Sequence, residues 1–173
     1  MESQFETAYD QEALTVMAKA LRKTIRKKRS RRSHILGTIV IAFALFLTLP
    51  LGNEVYVLTA KKVLTWLVSA IILLTLMFED RINGAIAKRR MLPGLEKAVV
   101  TFKEDSYHSV TEIGSSDFKY STIQMLVETT DYFVFIFSQN HAQIYSKCTL
   151  TGGTADEFRT FIQAATGKEI QPI

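Results

Sequence analysis

The chain has 173 residues and a formal net charge of +4, and its single cysteine excludes an internal disulfide. The charge is uneven: residues 22–32 read RKTIRKKRSRR, whereas residues 91–173 carry six basic against ten acidic side chains, a net charge of −4. A nucleic-acid-binding domain usually carries a basic face of its own. The acidic C-terminal part therefore argues against nucleic acid as a partner.

Residues 1–32 are predicted to form a short lead-in and an N-terminal helix that is amphipathic at first and then basic. Asp10 is a candidate N-cap, and apolar residues such as Leu14, Met17 and Leu21 follow at helical spacing. The basic run has two interpretations: it fixes the orientation of a membrane span, or it also grips anionic lipid headgroups. Together with the basic residues at 88–90 it defines a predicted membrane-surface basic patch, which comprises Arg22, Lys23, Arg26, Lys27, Lys28, Arg29, Arg31, Arg32, Lys88, Arg89 and Arg90.

Residues 33–80 are predicted to form a transmembrane helical hairpin, with spans at about 33–53 and 61–78. The first stretch carries no charge and covers roughly 30 Å as a helix, which is the thickness of the hydrocarbon core. The second is shorter, and Lys61 and Lys62 can snorkel from its start. Two buried helices of a soluble core are the alternative, but such helices would carry a polar face.

The distribution of basic residues predicts the topology of the hairpin. Lys and Arg are abundant before the first span and after the second, whereas the connecting loop contains only Lys61 and Lys62. The positive-inside rule then predicts a multi-pass protein of the cell membrane with both termini in the cytoplasm. No Asp, Glu, Lys, Arg or His lies in the middle of either span, which argues against a transporter or an ion channel.

Residues 81–94 are predicted to be a joint that ends at Pro93 and Gly94, and residues 95–173 a cytoplasmic domain. Short strands at 98–102, 107–113, 121–128, 132–137 and 142–146, separated by turn residues such as those at 114–117, indicate an antiparallel meander. Thr154 and Glu157 match a capping box at the start of a helix, and Gly167 is a natural stop. The predicted fold class is an α+β membrane protein: an N-terminal helix, a two-helix transmembrane hairpin, and a small antiparallel β-sheet capped by a C-terminal helix.

The segment 132–137, YFVFIF, is apolar on both faces. One face is expected to meet the C-terminal helix. The other needs cover from the rest of a barrel, from the helix of the joint, from a second copy or from a partner. Unpaired strand edges and exposed aromatic residues both favour association. The expected contact is therefore the free edge of the sheet or a possible partner face that comprises Tyr132, Phe133, Phe135 and Phe137.

The sequence contains no recognisable catalytic or metal-ligating arrangement. His34, His108 and His141 are far apart, and no C-x-x-C spacing is present. Asp117, Glu128 and Asp131 fall at turns and strand ends, where solvated carboxylates are usual. We therefore expect no enzymatic activity, no cofactor, no metal and no small-molecule substrate.

The C-terminal half resembles the YcxB-like family. The resemblance rests on Tyr120-Ser-Thr-Ile123, on the run VETTDYFVF from Val127, on AQIYSK from Ala142, and on Glu157-Phe158 with Phe161-Ile162. Members of this family are small bacterial proteins with two membrane spans and a C-terminal cytoplasmic domain. The chain departs at residues 144–148, IYSKC, where the family usually has an isoleucine-proline-lysine-arginine pattern. The resemblance implies a PH/GRAM-like domain of a sheet and a helix, and no established reaction.

We expect the protein to be a membrane-anchored, non-enzymatic cytoplasmic interaction module of a bacterial plasma membrane, binding a protein partner or itself. An immunity or stress-protection protein against a membrane-active toxin is the alternative. The expected partners are the lipid bilayer and a protein or a second copy. The acidic C-terminal domain itself is not expected to bind anionic lipid, because phosphates are held by Arg and Lys.

Overall fold

The structure is a computed structural model that describes residues 2–50 and 57–173. Its helices and strands follow in the order β1 (Ser3–Ala8), α1 (Gln11–Lys23), α2 (Lys27–Phe46), α3 (Ala60–Met77), α4 (Glu79–Arg90), β2 (Lys97–Phe102), β3 (Ser106–Thr111), β4 (Gly114–Lys119), β5 (Met125–Glu128), β6 (Tyr132–Ser138), β7 (His141–Ser146), α5 (Ala155–Thr166) and β8 (Ile170–Pro172). The protein is therefore α+β, as predicted.

The strands form two four-stranded sheets rather than one curved sheet. The first has the order β1-β2-β3-β4 and is antiparallel throughout. The second has the order β7-β6-β5-β8, and β8 runs parallel to β5. The predicted meander is thus split into β2–β4 and β5–β7. Residues 114–117, predicted to be a turn, belong to strand β4, because every residue of Gly114–Lys119 pairs with β3.

The N-terminal segment differs from the prediction of a helix over residues 1–32. Ser3–Ala8 is a strand that pairs with β2, with Phe5 opposite Val100. Its residues alternate between buried and exposed, as those of a half-buried strand do. The predicted helical character begins at Gln11, where Asp10 Oδ1 accepts a hydrogen bond from the backbone N–H of Ala13 at 2.8 Å. The N-terminus is therefore part of the β-domain, which comprises β1–β8 and α5.

Aromatic side chains fill the space between the two sheets and α5. The ring of Phe102 on the first sheet lies 5.8 Å from Phe135 and 5.3 Å from Tyr145 on the second. Phe158 of α5 contacts both sheets, 4.9 Å from Phe102 and 5.2 Å from Phe133. The predicted capping box and the left-handed Gly167 that ends α5 are confirmed.

Helix α1 covers the second face of β6, where Val134 and Ile136 pack with Ala13 and Leu21. The sequence interpretation did not include this cover. On its other side α1 packs on α4. Gly84 of α4 allows the close approach, because a Cβ there would lie only 2.8–3.0 Å from atoms of Thr15. The joint is therefore a helix packed against the β-domain through α1, and not a free linker.

Helices α2 and α3 pack against each other outside the β-domain. Gly37 of α2 faces Leu76 of α3, and the Trp66 Nε1–H donates to Thr48 Oγ1 at 3.2 Å. Large apolar side chains on both helices remain exposed, for example Leu36 (63%), Phe43 (62%) and Ile71 (62%). A helix whose large apolar side chains face outward needs an apolar environment.

Among the described residues, one helix, α3, is long and apolar enough to cross a membrane, and only Ser69 in it is buried. This indicates association with a membrane. Helix α2 has 20 residues, but five of its first six are Lys or Arg, which shortens its apolar part. The end of the predicted first span, residues 51–53, and most of the predicted loop lie outside the described residues. The second span therefore stays a prediction.

Candidate membrane-facing site and interaction surfaces

Two acidic residues at the start of α4 tie together α1, α2 and α4. Arg22 Nε and Nη2 donate to the two carboxylate oxygens of Asp80 at 2.6 and 2.7 Å. Glu79 Oε2 accepts from Ser30 Oγ at 3.1 Å and lies 2.7 Å from His34 Nε2. The hydrogen bond to Asp80 raises the pKa of the Arg22 guanidinium. We call these five residues the polar collar, because they lie where the charged part of α2 meets its apolar part.

The structure divides the predicted basic patch into separate groups. Arg22, Lys23, Lys27 and Arg31 line one cleft of about 660 Å³, which we call the basic cleft; its remaining lining residues are Thr24, Ser30, His34, Gln171, Pro172 and Ile173. Arg26 points elsewhere, since its Nε donates to the Gln139 carbonyl oxygen at 2.6 Å. The other predicted residues are exposed outside the cleft, on α2 (Lys28, Arg29 and Arg32) and at the end of α4 (Lys88, Arg89 and Arg90).

The structure contradicts the predicted partner face on β6. Phe133 is 0% and Phe135 1% exposed, because both point into the aromatic core between the sheets. Tyr132 and Phe137 are partly buried. An apolar run on both faces of a strand correctly indicates two covering layers, but α5 with the first sheet and α1 supply both layers from this chain. No face of β6 is left for a partner.

A second cleft is lined by residues of β4 and β7, which are edge strands of the first and the second sheet. It measures about 790 Å³ and we call it the sandwich cleft. Three small polar residues on the inner side of the first sheet line it, where a closed core would carry apolar side chains: Ser109, Thr111 and Ser116. Helix α1 contributes Met17, and α4 contributes Arg90 at its C-terminal end. The cleft is thus concave and mixed in polarity, as binding sites commonly are.

Gln143 of β7 lies in this cleft with a fixed orientation. Its Oε1 accepts hydrogen bonds from Tyr107 Oη at 2.8 Å and from Tyr145 Oη at 2.5 Å. Burial raises the pKa of both phenols, which therefore stay neutral donors at physiological pH. Burial likewise raises the pKa of Tyr9, another lining residue, to about 12. Because Oε1 already accepts two hydrogen bonds, Gln143 would contact a ligand in the cleft as a donor, through its amide N–H groups.

An ion cluster that sequence reasoning missed joins β5 to α5 and to the turn that follows β7. Glu128 Oε1 accepts from Lys147 Nζ at 2.6 Å and from Arg159 Nη2 at 2.7 Å, and Oε2 accepts from Arg159 Nε at 2.8 Å. Hydrogen bonds, first from Arg159 and then from Lys147, lower the pKa of Glu128. The Glu128 side chain is only 14% exposed and is not the solvated carboxylate that the sequence suggested. Both oxygens are engaged by cations, so the cluster is an internal tie within the domain.

The histidines and the cysteine remain separate in the structure. His108 Nδ1 lies 2.8 Å from Asp117 Oδ1 on an exposed pair of strands, and the exposed Cys148 has Ser146 Oγ 3.0 Å from its Sγ. Within residues 2–50 and 57–173, no group of three or more His, Cys, Asp or Glu side chains is arranged to hold a metal ion.

The fold and the site together define a two-sheet α+β domain that carries a pair of apolar helices, with basic residues where the pair joins the domain. Residues 102–162 match the family model described as YcxB-like protein, which confirms the resemblance to that family over this segment. The matched residues run from the end of β2 into α5 and include the whole Glu128 cluster. No curated protein matches the chain.

Proposed function

We propose that the protein is a membrane-anchored, non-enzymatic interaction module of a bacterial plasma membrane, with α2 and α3 as a two-span hairpin and both termini in the cytoplasm. One observation carries the proposal: the apolar side chains of α2 and α3 are exposed, while α1 and α4 fix this pair to the β-domain. The positive-inside rule supports the orientation, because the polar collar and its basic surroundings lie on the side of the β-domain.

Cysteine labelling tests this topology, since Cys148 is the only native cysteine and is exposed. A membrane-impermeant maleimide should label Cys148 only after permeabilisation. A second variant, Leu58→Cys in a Cys148→Ser background, introduces a thiol at an exposed position just before α3. That thiol should be labelled in intact cells. The reverse pattern at either position would overturn the proposal.

The sandwich cleft supports the interaction part of the proposal, in place of the buried face of β6. It is lined by residues of two edge strands, and unpaired strand edges accept extended peptide segments by strand addition. We assign the binding of a protein segment, from a partner or from a second copy, to this cleft. The PH/GRAM-like character implied by the family resemblance is part of the same proposal.

Site-specific photo-crosslinking in cells tests this assignment. A photoreactive side chain at Ser116, inside the cleft, should give a discrete adduct, whose mass distinguishes a partner from a second copy. The matched control is Thr101, on the outer face of the same sheet. The adduct at Ser116 should disappear when Ser109→Trp fills the cleft. Adducts that are equal at the two positions, or that survive filling, would exclude the cleft as the binding site.

A further inference from the structure

The strongest unassigned feature is the basic cleft at the base of α2. It holds three cations, Lys23, Lys27 and Arg31, that have no acidic partner among the described residues. The fourth cation, Arg22, is neutralised by Asp80. Surface lysines and arginines usually point apart into water. Here they surround a single cavity of about 660 Å³, large enough for a phosphate-bearing group of several heavy atoms.

A second cavity continues this cleft toward the apolar part of the helix pair. It measures about 390 Å³ and shares Arg22 and His34 with the basic cleft. Its other lining residues are Thr38, Leu73, Leu76, Met77, Glu79 and Asp80. Along α2, Lys27, Arg31, His34 and Thr38 succeed each other at spacings of three and four, and so lie on one helix face. The two cavities therefore form one path from cationic to apolar surroundings.

This path has the dimensions of the boundary between water and lipid. The apolar part of α2 begins at Ile35, and Arg31 and Lys27 lie about 6 and 12 Å below it at 1.5 Å per residue. The polar zone of each leaflet is roughly 5–8 Å thick, since a bilayer is about 40–45 Å thick with a core of about 30 Å. Arg31 thus falls at headgroup depth, whereas the backbone of Lys27 lies about 4–7 Å beyond the polar zone, so that Lys27 must reach the headgroup with its long side chain.

We propose that the basic cleft binds the headgroup of an anionic glycerophospholipid, with its acyl chains lying along Thr38, Leu73 and Leu76. This proposal rests on the proposed membrane anchoring. The phosphate is held by Lys23, Lys27 and Arg31, because these cations are unpaired and converge on one cavity. The two side-chain carboxylates that line the second cavity are both engaged, Asp80 by Arg22 and Glu79 by Ser30 and His34. The cytoplasmic leaflet, which the cleft faces in the proposed topology, is the one rich in anionic lipid.

The polar collar gives this site a fixed shape. Arg22 and His34 line both cavities and are held by Asp80 and Glu79 at the start of α4. Gln171 and Pro172 of strand β8, with Ile173 after it, complete the lining of the basic cleft. The site is therefore assembled from α1, α2, α4 and the C-terminal segment, and is distinct from a basic stretch that attracts lipid diffusely.

Two triple variants of the full chain distinguish lipid binding at a defined site from diffuse electrostatic attraction of lipid. The first, Lys23→Gln with Lys27→Gln and Arg31→Gln, removes the three unpaired cations of the cleft. The second, Lys28→Gln with Arg29→Gln and Arg32→Gln, removes the same number of charges from the part of α2 outside the cleft. Binding of short-chain phosphatidylglycerol to the chain in neutral detergent is measured by calorimetry. The first variant should bind on the order of 100-fold more weakly, because it loses all three charge-assisted contacts to the phosphate. The second should bind within a few-fold of the unchanged chain.

The other outcomes each overturn the proposal. Equal weakening in the two variants would mean diffuse attraction, and equal binding of short-chain phosphatidylcholine would mean that the anionic headgroup is not recognised. Inorganic phosphate or an acidic peptide competing at the same concentration would identify a different ligand. Pulse proteolysis checks that both variants are folded. Alkaline carbonate extraction from membranes distinguishes the two proposals. Release of the unchanged chain refutes the membrane anchoring. If the chain stays in the membrane but does not bind phosphatidylglycerol as expected, only the lipid-site proposal is refuted.

Discussion

Replacing Phe5 by alanine tests whether the N-terminal strand belongs to the folded domain. The Phe5 side chain is 0% exposed, and its ring lies 4.7 Å from Phe158, 5.6 Å from Tyr145 and 5.7 Å from Phe102. Truncation of a fully buried phenylalanine costs about 3–5 kcal/mol, through lost apolar burial and the cavity that remains. That is a large share of the roughly 5–15 kcal/mol that stabilises a typical domain.

The matched control for Phe5→Ala is Glu6→Ala, at the next position of β1 on its exposed face. For a chain of this size the loss at Phe5 corresponds to a fall of roughly 6–20 °C in the unfolding midpoint. Pulse proteolysis of the full chain in detergent over a temperature series follows the β-domain without interference from α2 and α3. A loss below about 1 kcal/mol at Phe5, or an equal loss at Glu6, would refute the account of β1 as a core strand.

Three further outcomes follow from the same structure. Glu128→Gln should lower stability by about 2 kcal/mol at pH 7, between the values for surface and buried pairs. The pKa of Glu128 is lowered in the folded state, so the stability difference between the unchanged chain and Glu128→Gln is full above the unfolded pKa of about 4.3. It shrinks as the pH falls through the folded pKa. Unfolding measured at pH 7 and at pH 3 tests this dependence. Gly152→Ala should lower the free energy of unfolding by about 2 kcal/mol or more in the same assay, because Gly152 has φ +81° and an added Cβ would clash with the Glu2 carbonyl oxygen. The control Gly114→Ala, where an added Cβ would have nothing within 4 Å, should leave the stability nearly unchanged. A fragment of residues 91–173 should be degraded by protease as an unfolded chain, because β1 and α1, which cover its core, are missing. Co-expression with residues 1–26 should restore resistance to the protease. Resistance of the fragment alone would contradict this.

The parts of the fold that the sequence predicts well are those with local signals. Helix α5 is an example, since Thr154, Glu157 and Gly167 mark its two ends within a few residues of the helix itself. Strand β4 was predicted to be a turn because Gly-Ser-Ser-Asp has turn composition. Its extended state comes from pairing with β3, which outweighs intrinsic preference.

Features that depend on distant residues escaped the sequence. The partners of β1 lie 89 to 99 positions further along the chain, from Lys97 opposite Ala8 to Phe102 opposite Ser3. The six residues of β1 carry too short an alternation to be distinguished from a lead-in to α1. The apolar pattern of β6 predicts that the face with Val134 and Ile136 is covered, but nothing in it indicates which element provides the cover. For the same reason the sequence predicts a single basic patch, and only the folded chain separates Lys23, Lys27 and Arg31 from the other basic residues.

The pairing of β1 with β2 has a consequence for biosynthesis. Phe5 leaves the ribosome 95 residues before its neighbour Val100, an interval of roughly 5–20 s at ordinary translation speeds. Helices α2 and α3 are made within this interval, so in the proposed topology the apolar pair would enter the bilayer while the first strand still has no sheet to join. Phe5 would then stay unburied near the membrane surface until β2 has been made. A bulky fusion placed there would delay closure of the domain far more than the same fusion after Ile173.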